Sequence, residues 1–156
     1  MASRAPHQEI LIADETEMLA FGARLASALG PGDVLALCGT LGSGKTTLTR
    51  GILRALGLQS EAPSPSFAIV QPYEPPELCL PFAHVDLYRL DDEADIEELG
   101  LDEYLSDGVV AVEWPERMGA RLWPHALLID IAITPEGTRR LTATLPPSWK
   151  ERWPLI

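Results

Sequence analysis

The sequence feature that most constrains the fold is a glycine-rich octapeptide from Gly39 to Thr46, which fits the pattern G-x-x-x-x-G-K-T/S. Its glycines allow backbone N–H groups to turn inward around phosphate oxygens, and a helix that follows adds its own free N–H groups to the same anion site. Lys45 can neutralise the β- and γ-phosphates, and Thr46 offers a hydroxyl to Mg²⁺. The pattern therefore predicts a phosphate-binding loop, or P-loop.

The residues on either side of this loop support the prediction. Residues 33–38 are nearly all apolar, which is typical of a strand buried on both faces of a sheet. A helix is expected from about Lys45 to Leu56, ending at Gly57. The residues expected to contact the nucleotide are Thr40, Leu41, Gly42, Ser43, Gly44, Lys45, Thr46 and Thr47, together with Trp114.

Composition favours ATP as the nucleotide. Guanine-specific P-loop proteins generally carry an Asn-Lys-x-Asp element, and this chain contains no asparagine. We therefore expect ATP and Mg²⁺ as the ligands of the loop.

The charge balance argues against direct nucleic-acid binding. The net charge is -11, and the only two lysines are Lys45 and Lys150. Proteins that grip DNA or tRNA by the backbone normally present a basic face, which this chain cannot supply. We expect no DNA contact, and contact with tRNA only through a partner protein.

Length and hydrophobicity suit one compact domain. The chain has 156 residues and is 46% hydrophobic. We predict a single P-loop ATPase domain over residues 1–156, with 146–156 as a peripheral tail. No apolar run could span a membrane, and residues 1–8 lack the apolar core of a secretory signal, so we expect a cytoplasmic protein. Two cysteines and three histidines give no zinc pattern, and a disulfide is not expected.

Periodicity predicts an α/β domain with a mixed sheet flanked by helices and a C-terminal β-hairpin. The acidic segment 91–98 is expected to be either a loop or a helix. Trp149 and Trp153 lie one helical turn apart, so the tail either packs on the domain or docks on a partner. The predicted strands are 9–13, 33–38, 67–70, 82–88, 108–113, 126–133 and 139–145, and the main helices are 14–29 and 45–56.

Two acidic residues each follow an apolar run. A P-loop protein needs carboxylates to organise Mg²⁺ and to orient the attacking water. Glu113 closes the run GVVAVE, and Asp86 follows FAHV. Ligands gather at the carboxyl ends of strands in α/β sheets, so both acids are expected near the phosphates. Lys45, Asp86 and Glu113 are the predicted catalytic residues, and Thr46 and Glu113 are the predicted metal ligands.

The neighbours of these acids leave several alternatives open. Trp114 could stack on adenine, shield the site from water or simply pack in the core. His84 alone is more often a packed histidine than a catalytic one. Arg89 is a plausible cation for a phosphate or for an acidic neighbour.

Several motifs in this order resemble those of the bacterial TsaE (YjeE) family, the ATPases of tRNA threonylcarbamoyladenosine biosynthesis. They are GTLGSGKTT at residues 39–47, SPSF at 64–67, HVDLYR at 84–89 and EWPE at 113–116. The resemblance covers nearly the whole chain, and the last two motifs make it specific. One departure is Ser66, where the family usually has threonine.

The resemblance implies a P-loop fold with a mixed sheet and a mobile switch at residues 64–67. It implies that Asp86 and Glu113 serve the Mg²⁺ and hydrolysis site, and that Trp114 matters for activity. It also implies two partners, TsaB and TsaD, of which TsaD transfers the threonylcarbamoyl group to adenosine 37 of tRNA. The ATPase would support turnover of that complex.

Two other functions fit a short P-loop chain. One is a small-molecule kinase, whose arginine-rich lid could draw only on Arg117 and Arg121 after the third strand. The other is a nucleotide-gated adaptor that binds ATP but hardly hydrolyses it. Phosphate release measured with and without partner proteins separates these functions from the first.

Overall fold

The computed structural model describes residues 7–40, 42–62 and 69–153. The strands in these ranges are β1 (His7–Ile12), β2 (Val34–Gly39), β3 (Val70–Tyr73), β4 (Phe82–Asp86), β5 (Val109–Glu113), β6 (Leu127–Ile133) and β7 (Arg139–Thr144). The helices are α1 (Glu15–Ala28), α2 (Lys45–Ala55), α3 (Glu93–Glu98) and α4 (Leu101–Tyr104), with 3-10 turns at Pro115–Arg121 and Pro147–Trp149. All seven strands join one sheet in the order β1-β7-β6-β2-β5-β4-β3. The predicted mixed α/β fold is confirmed.

The middle of the sheet is parallel and buried. β2 pairs in parallel with both β5 and β6, and β4 pairs in parallel with β5. Residues 34–37 and 109–112 are all 0% exposed, which explains why their sequences are unbroken apolar runs. The carboxyl ends of β2, β4 and β5 therefore meet at one edge, where Gly39, Asp86 and Glu113 lie.

The rest of the sheet is antiparallel. β6 and β7 form the predicted hairpin, and Gly137 in the connecting turn has a φ of 86°. β1 adds to the far side of β7. On the other flank, β3 pairs with β4 as an edge strand, which tolerates Pro72 because its outer side needs no N–H donor.

Two helices, α1 and α2, pack on one face of the sheet, and α2 begins at the P-loop. A capping box begins α1, in which the Asp14 carboxylate accepts from the backbone N–H of Glu17 at 2.9 Å. The Glu17 carboxylate in turn accepts from the backbone N–H of Ala13 at 2.7 Å. This box fixes the start of α1 beside the loop.

The structure differs from the sequence prediction in the face that α1 buries. The helical spacing of the sequence predicts Leu19, Gly22, Ala23, Ala26 and Leu29 on that face. Gly22 and Ala26 are buried there, but Leu19 and Leu29 are only partly buried and Ala23 is exposed. The buried stripe instead contains Met18, Phe21 and Leu25, each at most 2% exposed. The larger side chains take the positions against the sheet because they remove the most apolar surface from water.

The strand predicted at 67–70 also differs, since the observed strand is Val70–Tyr73 and residues 67 and 68 lie outside the described ranges. The tail residues Trp149 and Trp153 are 0% and 3% exposed, and the Trp153 ring meets Phe21 at 5.6 Å between centroids. For these two residues the packed alternative is confirmed. No helix in the described part of the chain is long and apolar enough to cross a membrane.

Candidate functional site

A cavity of about 490 Å³ opens at the edge of the sheet where β2, β4 and β5 end. The helix α2 begins at this cavity, so the free N–H groups of its first turn are available there. The cavity thus combines a helix N-terminus with polar side chains from the ends of β4 and β5 and from the loop after β2. Its lining residues are Thr40, Gly42, Gly44, Lys45, Thr46, Thr47, Asp86, Tyr88, Glu113 and Trp114.

The loop itself depends on glycine. Gly39, Gly42 and Gly44 have φ angles of 143°, 79° and 121°, a backbone region that residues other than glycine rarely adopt. A Cβ at Gly39 would also lie 2.6 Å from the backbone oxygen of Ile131. These positions set the curvature of the loop. Leu41, which was predicted to contact the nucleotide, lies outside the described residues.

Lys45 is a buried cation at 6% exposure. Its Nζ donates to the backbone oxygen of Gly39 at 2.9 Å and lies 3.8 Å from Oε1 of Glu113. The same ammonium lies 5.0 Å from the centroid of the Trp114 ring, within the range of a cation–π contact. Protein groups thus surround the Lys45 ammonium, which the sequence predicts to bind phosphate.

The two predicted acids lie side by side, because Asp86 and Glu113 are register partners of β4 and β5. They are 7% and 5% exposed. Oδ1 of Asp86 accepts from the backbone N–H of Tyr88 at 2.9 Å. With Thr46 in the same cavity, the set offers only oxygen ligands, which Mg²⁺ prefers, so the residues present fit this metal.

Trp114 has a backbone conformation that is unusual for a bulky residue, with φ 60° and ψ 50°. This turn folds the indole back over Lys45. Tyr88, which is 57% exposed, meets Trp114 with 5.0 Å between ring centroids. An aromatic pair therefore forms one wall of the cavity, and Trp114 also packs against the core cluster of β4 and β5.

Sequence reasoning missed Arg139. Its guanidinium reaches across the sheet from the β6–β7 hairpin and donates to the backbone oxygens of Ser43 at 2.8 Å and Gly42 at 3.4 Å. It also donates to Gly137 in its own turn at 2.8 Å. The loop directs its N–H groups inward, so its carbonyl groups need partners on the outside, and Arg139 supplies them. The only sequence signal was an arginine directly after a hairpin turn.

Other candidates lie away from the cavity. Arg117 pairs with Asp91, and Arg121 lies 3.1 Å from Glu97, so the two arginines considered for a kinase lid contact the acidic segment instead. Arg89 does not line the cavity. The predicted switch at 64–67 lies outside the described residues; Ile69, just beyond it, accepts a hydrogen bond from the backbone N–H of Asp86 at 2.8 Å.

Cys38 stands directly before the loop. Burial raises the pKa of its thiol to about 11, with further upward contributions from Glu116 and Asp130 and a smaller downward one from Lys45. The thiol therefore stays protonated at neutral pH and is a poor nucleophile and metal ligand. Cys38 and Cys79 are both free, as the sequence predicted.

Comparisons with known proteins agree on one family. The family model for the threonylcarbamoyl adenosine biosynthesis protein TsaE matches residues 12–141. The tRNA threonylcarbamoyladenosine biosynthesis protein TsaE of Bacillus subtilis is 41% identical over 133 residues, covering 84% of this chain and 80% of that protein. The protein of the same name from Streptomyces coelicolor is 41% identical over 141 residues, covering 87% and 93%.

A solved structure is similar over the same extent. The crystal structure of Bacillus subtilis YdiB superposes with a TM-score of 0.82 at 30% sequence identity. The match covers 97% of this chain and 94% of that one. The fold likeness therefore includes the loop, the strands that carry the acids and the hairpin that carries Arg139.

Proposed function

The chain belongs to the TsaE family of tRNA threonylcarbamoyladenosine biosynthesis, and we propose that it serves there as a Mg²⁺-dependent ATPase. Family and fold together point to a nucleotide-binding enzyme. In this proposal the whole chain, 1–156, acts as one ATPase domain. It works with TsaB and TsaD, and it meets tRNA only through them.

The observation that carries the proposal is the environment of Lys45. A buried ammonium lies at the start of a helix, inside a glycine-rich loop, in one cavity with Thr46, Asp86 and Glu113. A cation held at the start of a helix, inside a loop of free backbone N–H groups, suits an anionic ligand that enters the loop. The triphosphate of ATP is such a ligand.

The proposed reaction is in-line attack of water on the γ-phosphate. Lys45 stabilises the charge on the phosphate oxygens, and the backbone N–H groups of the loop hold the β-phosphate. Asp86 positions the attacking water or takes its proton. Thr46 and Glu113 would hold the metal. Mg²⁺, when bound, neutralises charge on the β- and γ-phosphate oxygens.

The test replaces the loop cation. Lys45→Ala removes a charge-assisted donor, so we expect the affinity for Mg-ATP to fall by roughly 10- to 100-fold, and hydrolysis to fall with it. Isothermal titration measures the affinity. Lys150→Ala is the matched control, because it removes the only other lysine, which is exposed. Equal affinities for the two variants would refute the P-loop assignment.

A further inference from the structure

The strand β4 carries a buried histidine that the proposed reaction does not use. His84 is 1% exposed, and its Nε2 lies 2.6 Å from Oε2 of Glu113. We propose that His84 is a positioning residue, which fixes the carboxylate of Glu113 for its role at the phosphate site. This inference rests on the proposed function.

The sheet places the histidine for this role. Side chains alternate along β4, so His84 and Asp86 point to the same face. Phe82 on that face belongs to the core under α1 and α2, and so does Ala111, the register partner of His84. Since Ala111 is small, the imidazole can extend past it toward Glu113, two residues further along β5.

The hydrogen bond has a direction. A carboxylate has no hydrogen to donate, so Nε2–H of His84 donates and Oε2 of Glu113 accepts. The second oxygen, Oε1, remains on the side of Lys45 at 3.8 Å. The histidine therefore determines which oxygen faces the cavity, and it removes the rotational freedom of the carboxylate.

Packing alone does not account for this residue. Nδ1 of His84 is buried and has no hydrogen-bond partner among the described residues. An unpaired buried polar atom destabilises the fold, and an aliphatic side chain would fill a buried strand position without that cost. The neighbouring positions of β4 are in fact Ala83 and Val85, both 0% exposed. The bond to Glu113 is the contact that only the histidine makes.

Two substitutions of equal reach separate a donor role from a packing role. His84→Gln places an amide N–H as many bonds from Cα as Nε2 is, and His84→Met fills similar space without a donor. In steady-state phosphate release with partner proteins present, we expect His84→Met to lower kcat by about 10- to 100-fold, the usual effect of removing a group that orients a ligating carboxylate. His84→Gln should recover most of the rate.

A second measurement does not depend on turnover. The gain in ATP affinity on adding Mg²⁺, followed by titration calorimetry, should shrink in the His84→Met variant and persist in His84→Gln. Phe82→Leu is the control for packing, since Phe82 is buried on the same face of the same strand. A parental rate and parental Mg²⁺ gain in His84→Met, or equal losses in His84→Gln or Phe82→Leu, would overturn the proposal.

A third measurement uses the unaltered chain and covers the case in which His84→Met fails to fold. Nitrogen-15 spectra of the nucleotide-free protein should show a hydrogen on Nε2 of His84. A hydrogen on Nδ1 with a bare Nε2 would overturn the proposal, whatever the activity. Absence of phosphate release by the parent chain with its partners would instead count against the proposed function, and the nitrogen spectra would still test His84.

Discussion

Lys45 and Glu113 are opposite charges buried next to each other, with side chains 7% and 6% exposed. Removing such charges from water costs free energy that their attraction rarely repays in full, so a buried pair is weak support for stability. The presence of this pair is better explained by its position at the phosphate-binding loop. Without a phosphate the acid and the Gly39 carbonyl hold the ammonium, and with a phosphate the ammonium has a stronger partner.

The acids provide a prediction at the scale of single residues. Glu113→Gln and Asp86→Asn keep the shape of each side chain but remove its charge. We expect phosphate release to fall by roughly 100-fold or more, the effect of losing one preorganised catalytic group. ATP binding should survive better than in Lys45→Ala, because both variants keep the loop and its cation. Phosphate release with partners and calorimetry without them provide the two readouts.

Glu116→Gln is the control for these variants, because Glu116 is an exposed acid three residues beyond Glu113. Its rate should match that of the parent. A parental rate in Glu113→Gln or in Asp86→Asn would remove that residue from the proposed mechanism.

The pattern of the sequence identified Lys45, Asp86 and Glu113 because each has a local signal, either the glycine-rich loop or an acid after an apolar run. His84 has no such signal: a lone histidine in a strand is more often packed than catalytic, and the sequence does not say which side chain it faces. Arg139 was missed, because its hydrogen bonds to Ser43 and Gly42 join segments 96 and 97 residues apart in the chain. Contacts of this kind depend on strand order, which local patterns do not encode.

At the scale of elements, α1 and α2 cross at two glycines. A Cβ at Gly51 would lie 2.5 Å from the backbone oxygen of Leu19, and one at Gly22 would lie 2.6 Å from that of Leu48. Because the atoms in the way are backbone, a side chain at either glycine requires the helices to separate. This close approach holds α2, and with it the end of the loop, against α1.

Gly51→Ala should therefore destabilise the fold. Alanine favours a helix over glycine by about 1 kcal/mol. Overpacking against rigid backbone costs up to about 3 kcal/mol, so we expect a net loss of about 2 kcal/mol. Denaturant unfolding followed by circular dichroism measures it. Gly30→Ala is the control, since a Cβ there would meet nothing within 4 Å. Equal stability of the two variants would show that the helices are not in such tight contact.

Arg139 of the β6–β7 hairpin supports the P-loop from outside the cavity. Arg139→Met removes its donors to the carbonyls of Ser43 and Gly42, so the loop should lose part of its preorganised shape. We expect Mg-ATP affinity to fall about tenfold, the equivalent of one moderate hydrogen bond. Arg140→Met is a matched control, because the Arg140 side chain forms an exposed ion pair with Glu9 and stands next to Arg139 on the same strand.

An equal loss of affinity in both variants would show that the hairpin's charge, rather than the Arg139 hydrogen bonds, matters to the loop. An unchanged affinity in Arg139→Met would show that the loop keeps its shape without outside support.

The elements with strong periodicity were predicted well, and those shaped by neighbours were not. The strands β2 and β5 show their burial directly in runs of apolar residues, and the glycine-rich loop marks the start of α2. β3 lies at the sheet edge and contains Pro72, so neither alternation nor apolar content marks its limits. The buried stripe of α1 was shifted because Ala23 and Leu19 fit a helical period as well as Phe21 and Leu25 do.

For the whole molecule, charge is the property with the clearest consequence. The net charge is -11, and one of the two lysines, Lys45, is buried in the loop. Acidic side chains also dominate α3 and the start of α4. Binding to a nucleic-acid backbone releases counterions and needs several exposed cations on one face, which this composition does not provide.

The last prediction follows from this charge. The isolated chain should bind tRNA negligibly at physiological salt, because it can make few of the phosphate contacts that such binding requires. Its ATPase should rise when TsaB and TsaD are added, as a docked partner completes or closes the site. The assay mixes the purified chain first with tRNA and then with both partners, and follows binding and phosphate release. Tight tRNA binding by the chain alone, or a rate that ignores both partners, would contradict the proposed function and favour a kinase acting on a small molecule.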